Sequence, residues 1–241
     1  MSKVILVTGA NSGIGFELVR ILAEQNHTVY LGARNEAAGK EAVETLHADG
    51  LKTVKFALID VTKVSTIEDT KAAIETAEGK LDVLVNNAGI SKMGVNQNAT
   101  SIELETIRDA METNFYGLIQ TTITLLPLIR KSSNGVILNV STDMASNTYQ
   151  ARPEAGLHFV AYNTSKAAMN SYSIALGHEL KNEGIKVNAV TPGFTTTKLN
   201  HHAPGGKTMK EGAESLVPWV LLDPSGPTGK FFDWDGKEFP W

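Results

Sequence analysis

Short apolar runs alternate along the chain with longer stretches in which apolar residues recur every three or four positions. The runs fall at residues 4–7, 28–33, 54–59, 83–85, 135–140 and 186–190. They are rich in Val, Ile and Leu, and most lack a polar alternate face, the pattern of parallel strands covered by helices on both sides. The intervening stretches, residues 14–24, 37–47, 64–77, 102–129 and 162–182, read as amphipathic helices. This rhythm of βαβ units predicts an α/β fold with a doubly wound, mostly parallel sheet and ligands at the carboxyl ends of its strands. No linker, repeat or low-complexity segment interrupts it, so residues 1–241 are expected to form a single domain. The tail from 223 to 241, rich in Pro, Gly and aromatics, is expected to wrap the core and add a strand at 230–232.

Composition narrows the function classes. The 241 residues are 42% hydrophobic and 20% charged, with net charge −4, which gives no footprint for nucleic acid. No run approaches the ~18 apolar residues that span a bilayer. A strand-like run already opens at Lys3, so no signal peptide is expected and the cytoplasm is the default location. With no cysteine there is no disulfide, thiolate nucleophile or thiolate metal site. The pair His201-His202 reads as solvated loop residues, and no metal is expected.

Three stretches carry chemistry. After the first strand comes Thr8-Gly9-Ala10-Asn11-Ser12-Gly13-Ile14-Gly15, followed at once by a helix. Glycines there permit a tight turn and close backbone approach to a pyrophosphate resting on the helix N-terminus. The second strand ends Leu31-Gly32-Ala33-Arg34-Asn35, with an arginine and no acid. A guanidinium can pair with a 2′-phosphate, whereas a carboxylate would hold a free 2′-hydroxyl; the cofactor indicated is NADP(H). Tyr162 and Lys166, four apart, share one helix face, and a fixed positive charge there would bring the phenol toward a useful acid-base range.

Together these residues resemble the short-chain dehydrogenase/reductase family across nearly the whole chain, and within it NADPH-dependent carbonyl reductases. The glycine loop is similar to its Thr-Gly-x-x-x-Gly-x-Gly, Asn86-Asn87-Ala88-Gly89 to its strand-four signature, and Tyr162-x-x-x-Lys166 to its active site. Asn114 matches the active-site asparagine and Pro192-Gly193 the turn flanking the nicotinamide. The resemblance implies a Rossmann-type fold and reduction of a small ketone or aldehyde, with Tyr162 as general acid and Lys166 holding the nicotinamide ribose. It further implies that Asn114 orders a water for proton return. Asp60 and Val61 would touch adenine, Asn87, Ala88 and Gly89 the adenosine ribose, and Thr195 and Thr197 the carboxamide. Other readings are a pathway-specific NADP-dependent ketoreductase or alcohol dehydrogenase, and a non-catalytic NADP(H)-binding sensor.

Two departures stand out. Where the family reads Ser-Ser, this chain has Ser141-Thr142. Strand alternation sends these neighbours to opposite faces, which favours Thr142 as the catalytic hydroxyl, with Ser141 as the alternative. Residues 143–161 form a longer connection than most members carry. Monomeric carbonyl reductases are extended at the same place, so a monomer is the expected state and a homo-oligomer the alternative. Residues 198–215, polar and Gly-containing, are expected to form a mobile lid.

Overall fold

Along β1 (Val4–Val7) neighbouring side chains point to opposite faces of the sheet, and all four are buried. Ile5 and Val7 join one apolar cluster, Val4 and Leu6 a second one on the other face. Helices therefore cover both faces, which is why the run shows no polar alternate position. The computed structural model describes residues 2–241. In chain order the elements are β1, α1 (Gly13–Glu24), β2 (Thr28–Ala33), α2 (Glu36–Ala48), β3 (Val54–Leu58), α3 (Val64–Glu78) and β4 (Val83–Asn86). Then come α4 (Leu104–Met111), α5 (Gly117–Ile129), β5 (Val136–Val140), α6 (Asn147–Gln150), α7 (Val160–Glu179) and β6 (Lys186–Val190). The chain closes with α8 (Met209–Glu214), α9 (Val217–Val220) and β7 (Lys230–Phe232).

Among the described residues the strands form one seven-stranded sheet in the order β3-β2-β1-β4-β5-β6-β7. Every neighbouring pair is parallel. Order reverses between β1 and β4, and a crevice opens there at the carboxyl ends of the strands. Leu18, Leu22 and Leu46 pack under one face, and Ile67, Ile74 and Leu125 under the other, all fully buried. Each such side chain contributes about 2 kcal/mol relative to exposure. At the β3 edge the pattern loosens, with Lys55 and Leu58 exposed.

The stretch expected as one helix over 102–129 is continuous but not uniform. Between α4 and α5, residues Glu112–Tyr116 wind as a π-turn, and the Gly117 N–H reaches the Glu112 carbonyl five residues back. The helix expected from Tyr162 begins two residues earlier, at Val160. The tail wraps as expected. The Trp241 carbonyl accepts from Thr148 N–H at 3.1 Å and Ser146 Oγ at 3.2 Å, and its ring stacks on Phe231. The expected lid is anchored at several points. Thr196 N–H donates to the Lys207 carbonyl at 3.0 Å, and Ala213 of α8 belongs to the core. Its first part is tied as well, with Asn200 Nδ2 donating to the Thr195 carbonyl at 2.9 Å and Thr196 Oγ1 to the Ala203 carbonyl at 2.8 Å. No helix of the described residues is long and apolar enough to cross a membrane.

Candidate active site

A cleft of about 390 Å³ opens above β1, β2 and β4. Among its walls are Gly9, Asn11, Ser12, Gly13, Ile14, Gly15, Arg34, Asp60, Val61, Asn87, Ala88, Gly89 and Thr197. Two loops build it, and Thr8 stitches them together. Its hydroxyl accepts from the N–H groups of Asn87 and Ala88, each at 3.0 Å. Asn87 Nδ2 returns bonds to the carbonyls of Thr8 and Gly9 at 2.9 and 3.0 Å. Gly9 has φ +62°, and a Cβ there would lie 2.8 Å from Ala88 Cα, so the loops could not close around a larger residue.

The start of α1 suits an anion. Its cap, Ser12, makes no side-chain bond to the helix, and the first turn carries no acid. The first N–H groups of a helix have no intrahelical partner and favour negative charge. Arg34 stands exposed at the far wall, and no ion pair holds it among the described residues. Burial raises the neighbouring Asp60 carboxyl, but hydrogen bonds from Thr62 and the charges of Lys63 and Arg34 bring it below its usual value. A phosphate-rich dinucleotide fits this donor set.

The residues expected to be catalytic lie beyond the cleft, where β5 meets α7. Tyr162, Lys166, Asn170 and Ser173 form one buried stripe of α7 facing the sheet. Ser173 accepts from Asn139 Nδ2 at 2.8 Å, and Asn139 Oδ1 accepts from its cross-strand partner Asn86 at 2.9 Å. This buried polar ladder fixes the height of α7 on β4 and β5. The adjacent hydroxyls at the end of β5 then separate. Ser141 Oγ donates to Asn170 Oδ1 at 2.7 Å and is held against α7. Thr142 faces the other way, beside the Tyr162 phenol.

Burial pushes the Tyr162 phenol well above its usual value, the Asp143 carboxylate adds to this, and the Thr142 hydroxyl alone opposes it. Lys166 Nζ donates to the Val140 carbonyl at 2.8 Å. Burial lowers the Lys166 ammonium to about 8. Asn114 sits in the π-turn, 1% exposed, with its amide fully engaged. Oδ1 accepts from Ile90 N–H at 2.8 Å, while Nδ2 donates to the Ile90 carbonyl at 2.8 Å and to Ser165 Oγ at 2.9 Å. A Cβ on Gly89 would lie 3.2 Å from Asn114 Oδ1 and 3.6 Å from Lys166 Nζ, so these three meet at one point.

On the far side, Pro192 leads into Gly193, whose φ is +70°. Thr191 Oγ1 accepts from the Gly193 N–H at 3.1 Å and closes this turn. Thr195 Oγ1 donates to the Gly193 carbonyl at 3.2 Å, and Thr197 lines the cleft. Ile90, Thr113 and Leu199 also wall the cleft without having been singled out from sequence. Thr113 adjoins Asn114, which was the available signal; Leu199 is brought in by Ser91 Oγ donating to its carbonyl at 2.5 Å. Asp143 likewise belongs to no motif. His201 and His202 are exposed, and no metal-binding cluster occurs among the described residues.

The short chain dehydrogenase family model matches residues 3–207, most of the chain. The chain belongs to this family. A short-chain dehydrogenase/reductase 1 of Saponaria officinalis is 31% identical over 94% of the chain and 92% of the relative. Salutaridine reductase of Papaver somniferum is 30% identical over 95% of the chain and 93% of that enzyme. The solved structure of salutaridine reductase from the same plant superposes with a TM-score of 0.82, at 28% identity over 96% of this chain and 99% of that one. An NADPH-bound carbonyl reductase from chicken fatty liver gives 0.87 over 100% and 99%, but at 24% identity it speaks for the fold alone.

Proposed function

We propose that the protein is an NADPH-dependent carbonyl reductase that converts a ketone or aldehyde to an alcohol. The carrying observation is the meeting of the Tyr162 phenol and the Thr142 hydroxyl one helical turn from Lys166, beside a cleft that runs to Arg34. The names of the relatives support a reductase, since salutaridine reductase and a (−)-isopiperitenone reductase of Mentha piperita are among them.

The reduced nicotinamide, when bound, supplies the hydride that the substrate carbon receives. Tyr162 gives its proton to the carbonyl oxygen as negative charge develops there. A buried phenol that holds its proton above neutrality is suited to the acid role. Thr142 turns its hydroxyl hydrogen to the same oxygen and fixes its position. Lys166, lowered to about 8, exchanges its proton near neutral pH and can restore that of the phenol. Asn114 holds Ile90 and Ser165, and through them the walls on either side of Lys166. Arg34 would take the 2′-phosphate and the start of α1 the pyrophosphate, with Thr195 and Thr197 near the carboxamide. The reading includes a cytoplasmic enzyme acting as a monomer.

The test is NADPH oxidation, followed by the near-ultraviolet absorbance of the reduced nicotinamide, against diones, quinones, aldehydes and ketoesters, with NADH in parallel. Turnover favouring NADPH is expected, and Tyr162→Phe should lower it ~10²–10⁴-fold while NADPH still binds. A Tyr162→Phe protein retaining more than about a tenth of the rate would refute the acid assigned here.

A further inference from the structure

We propose that Gln97 is a positioning residue for the general acid: from the loop after β4 it caps the first turn of α7 and so sets where the Tyr162 phenol stands. This rests on the carbonyl-reductase reading and deepens it.

Tyr162 is the third residue of α7, which begins at Val160. The N–H groups of a first turn have no carbonyl of their own helix to meet, and helix ends without other partners fray. Phe159, just before α7, has no side-chain oxygen to offer and makes no cap bond. What closes the turn comes from 65 residues upstream. Gln97 Oε1 accepts from the Tyr162 N–H at 3.2 Å, and the Gln97 main-chain carbonyl accepts from the Val160 N–H at 3.3 Å. A Ser or Asp at the cap position ordinarily takes the N–H of the second or third helical residue. Here a glutamine on another segment takes it.

Gln97 is itself held. It is 4% exposed, and its Nε2 donates to the Ser91 carbonyl at 2.9 Å. Both ends of the amide are engaged, which fixes its orientation, oxygen toward Tyr162 and nitrogen toward Ser91. Ser91 Oγ in turn donates to the carbonyl of Leu199, so one loop serves both the cleft wall and the start of α7. Deeper in α7 the helix is tied to β5 and the residue after it, through Lys166 to the Val140 carbonyl, Asn170 to Ser141 and Ser173 to Asn139. Tyr162 lies one turn before the first of these ties, where the two Gln97 bonds join the main chain to a neighbouring segment. A phenol that must reach a carbonyl oxygen tolerates little drift, and a displacement of about 1 Å can cost ~10²-fold in rate.

Gln97→Met keeps the length of the side chain and removes both amide bonds. Gln97→Glu, charged or neutral, keeps an oxygen for the Tyr162 N–H, and a negative charge there is favoured by the helix N-terminus. The quantity to read is the rate of hydride transfer in a single turnover of dione reduction, expressed per NADPH bound, so that loss of folded protein does not enter. In Gln97→Met it is expected to fall ~10–100-fold while NADPH affinity stays close to wild type, and Gln97→Glu should recover most of it. An unchanged rate in Gln97→Met overturns the proposal. So does a Gln97→Glu protein as slow as Gln97→Met, because the loss would then run through Ser91 and not through Tyr162. Hydrogen exchange of the Tyr162 amide, followed by NMR, needs no substrate. In the wild type this amide should be protected although it lies in a first turn, and exchange as fast as that of an exposed amide overturns the proposal without any variant. In Gln97→Met its exchange should quicken on the order of 10-fold, and equal rates in the two proteins overturn the proposal as well. A wild-type protein that reduces nothing in the panel refutes the carbonyl-reductase reading instead, and the exchange rates still decide whether Gln97 caps α7.

Discussion

Ser141 and Thr142 differ by one position and by the face they occupy. Ser141 spends its hydrogen on Asn170, buried on α7, while Thr142 meets the Tyr162 phenol. The two substitutions should therefore part company. Thr142→Val, which removes the hydroxyl at nearly constant shape, should lower kcat/KM ~10²-fold or more with little change in Tm. Ser141→Ala should leave kinetics close to wild type and cost about 1–2 kcal/mol in urea unfolding, by stranding Asn170. Reversal of that split would exchange the roles. At the other end of the cleft, Arg34→Ala should raise KM for NADPH ~10–100-fold and leave NADH little affected, since only one of them has a phosphate for the guanidinium to meet. The separation of Ser141 from Thr142 was legible in the chain because strand alternation is a geometric rule. The hydrogen bond that Thr142 Oγ1 gives to Asp143 Oδ1 at 2.9 Å was not, because it depends on a turn whose direction no spacing specifies.

Among the elements, the strands were legible almost to the residue, since most carry an apolar run buried on both faces. The π-turn was not. An i→i+5 bond leaves the 102–129 stretch looking like any amphipathic helix, and the bonds that Asn114 makes from this turn to Ile90 leave no mark in the periodicity. Such turns are frequent at functional sites. The lid was misjudged for a similar reason. Gly212 reads as a flexible residue, yet a Cβ there would lie 2.8 Å from Thr195 Oγ1, so it marks close packing of α8. Removing the Asn114 clamp tests the element directly. Asn114→Ala leaves the Ile90 N–H and carbonyl without their partner, which should cost ~2–4 kcal/mol in urea unfolding. Turnover should fall as well, because Gly89 and Lys166 adjoin the same amide. A variant with normal stability and reduced turnover would make Asn114 a participant in proton transfer rather than a brace.

Across the whole molecule the sheet has a chemical end and a structural end. The carboxyl ends of the strands carry the cleft and Tyr162; the opposite end is tied by Asp82, 4% exposed, just before β4. Its Oδ2 accepts from Val4 N–H of β1 at 2.9 Å, and Oδ1 from Lys80 Nζ at 2.8 Å and Ser132 Oγ at 2.5 Å. Burial raises this carboxyl, but the bonds from Lys80, Ser132 and Val4 outweigh it and hold it below its usual value. A carboxyl depressed on folding lends stability that is fully present above its unfolded value, ~3.9, and is lost as pH falls through the folded one. Asp82→Asn should accordingly unfold at lower urea at neutral pH, by about 1–3 kcal/mol, and the gap from wild type should narrow as the medium is acidified below ~pH 4. A gap that stays constant with pH would mean that Asp82 acts through shape alone. Turnover of the folded variant should match wild type, because the strands that separate Asp82 from Tyr162 are packed on both faces and carry no charge between them.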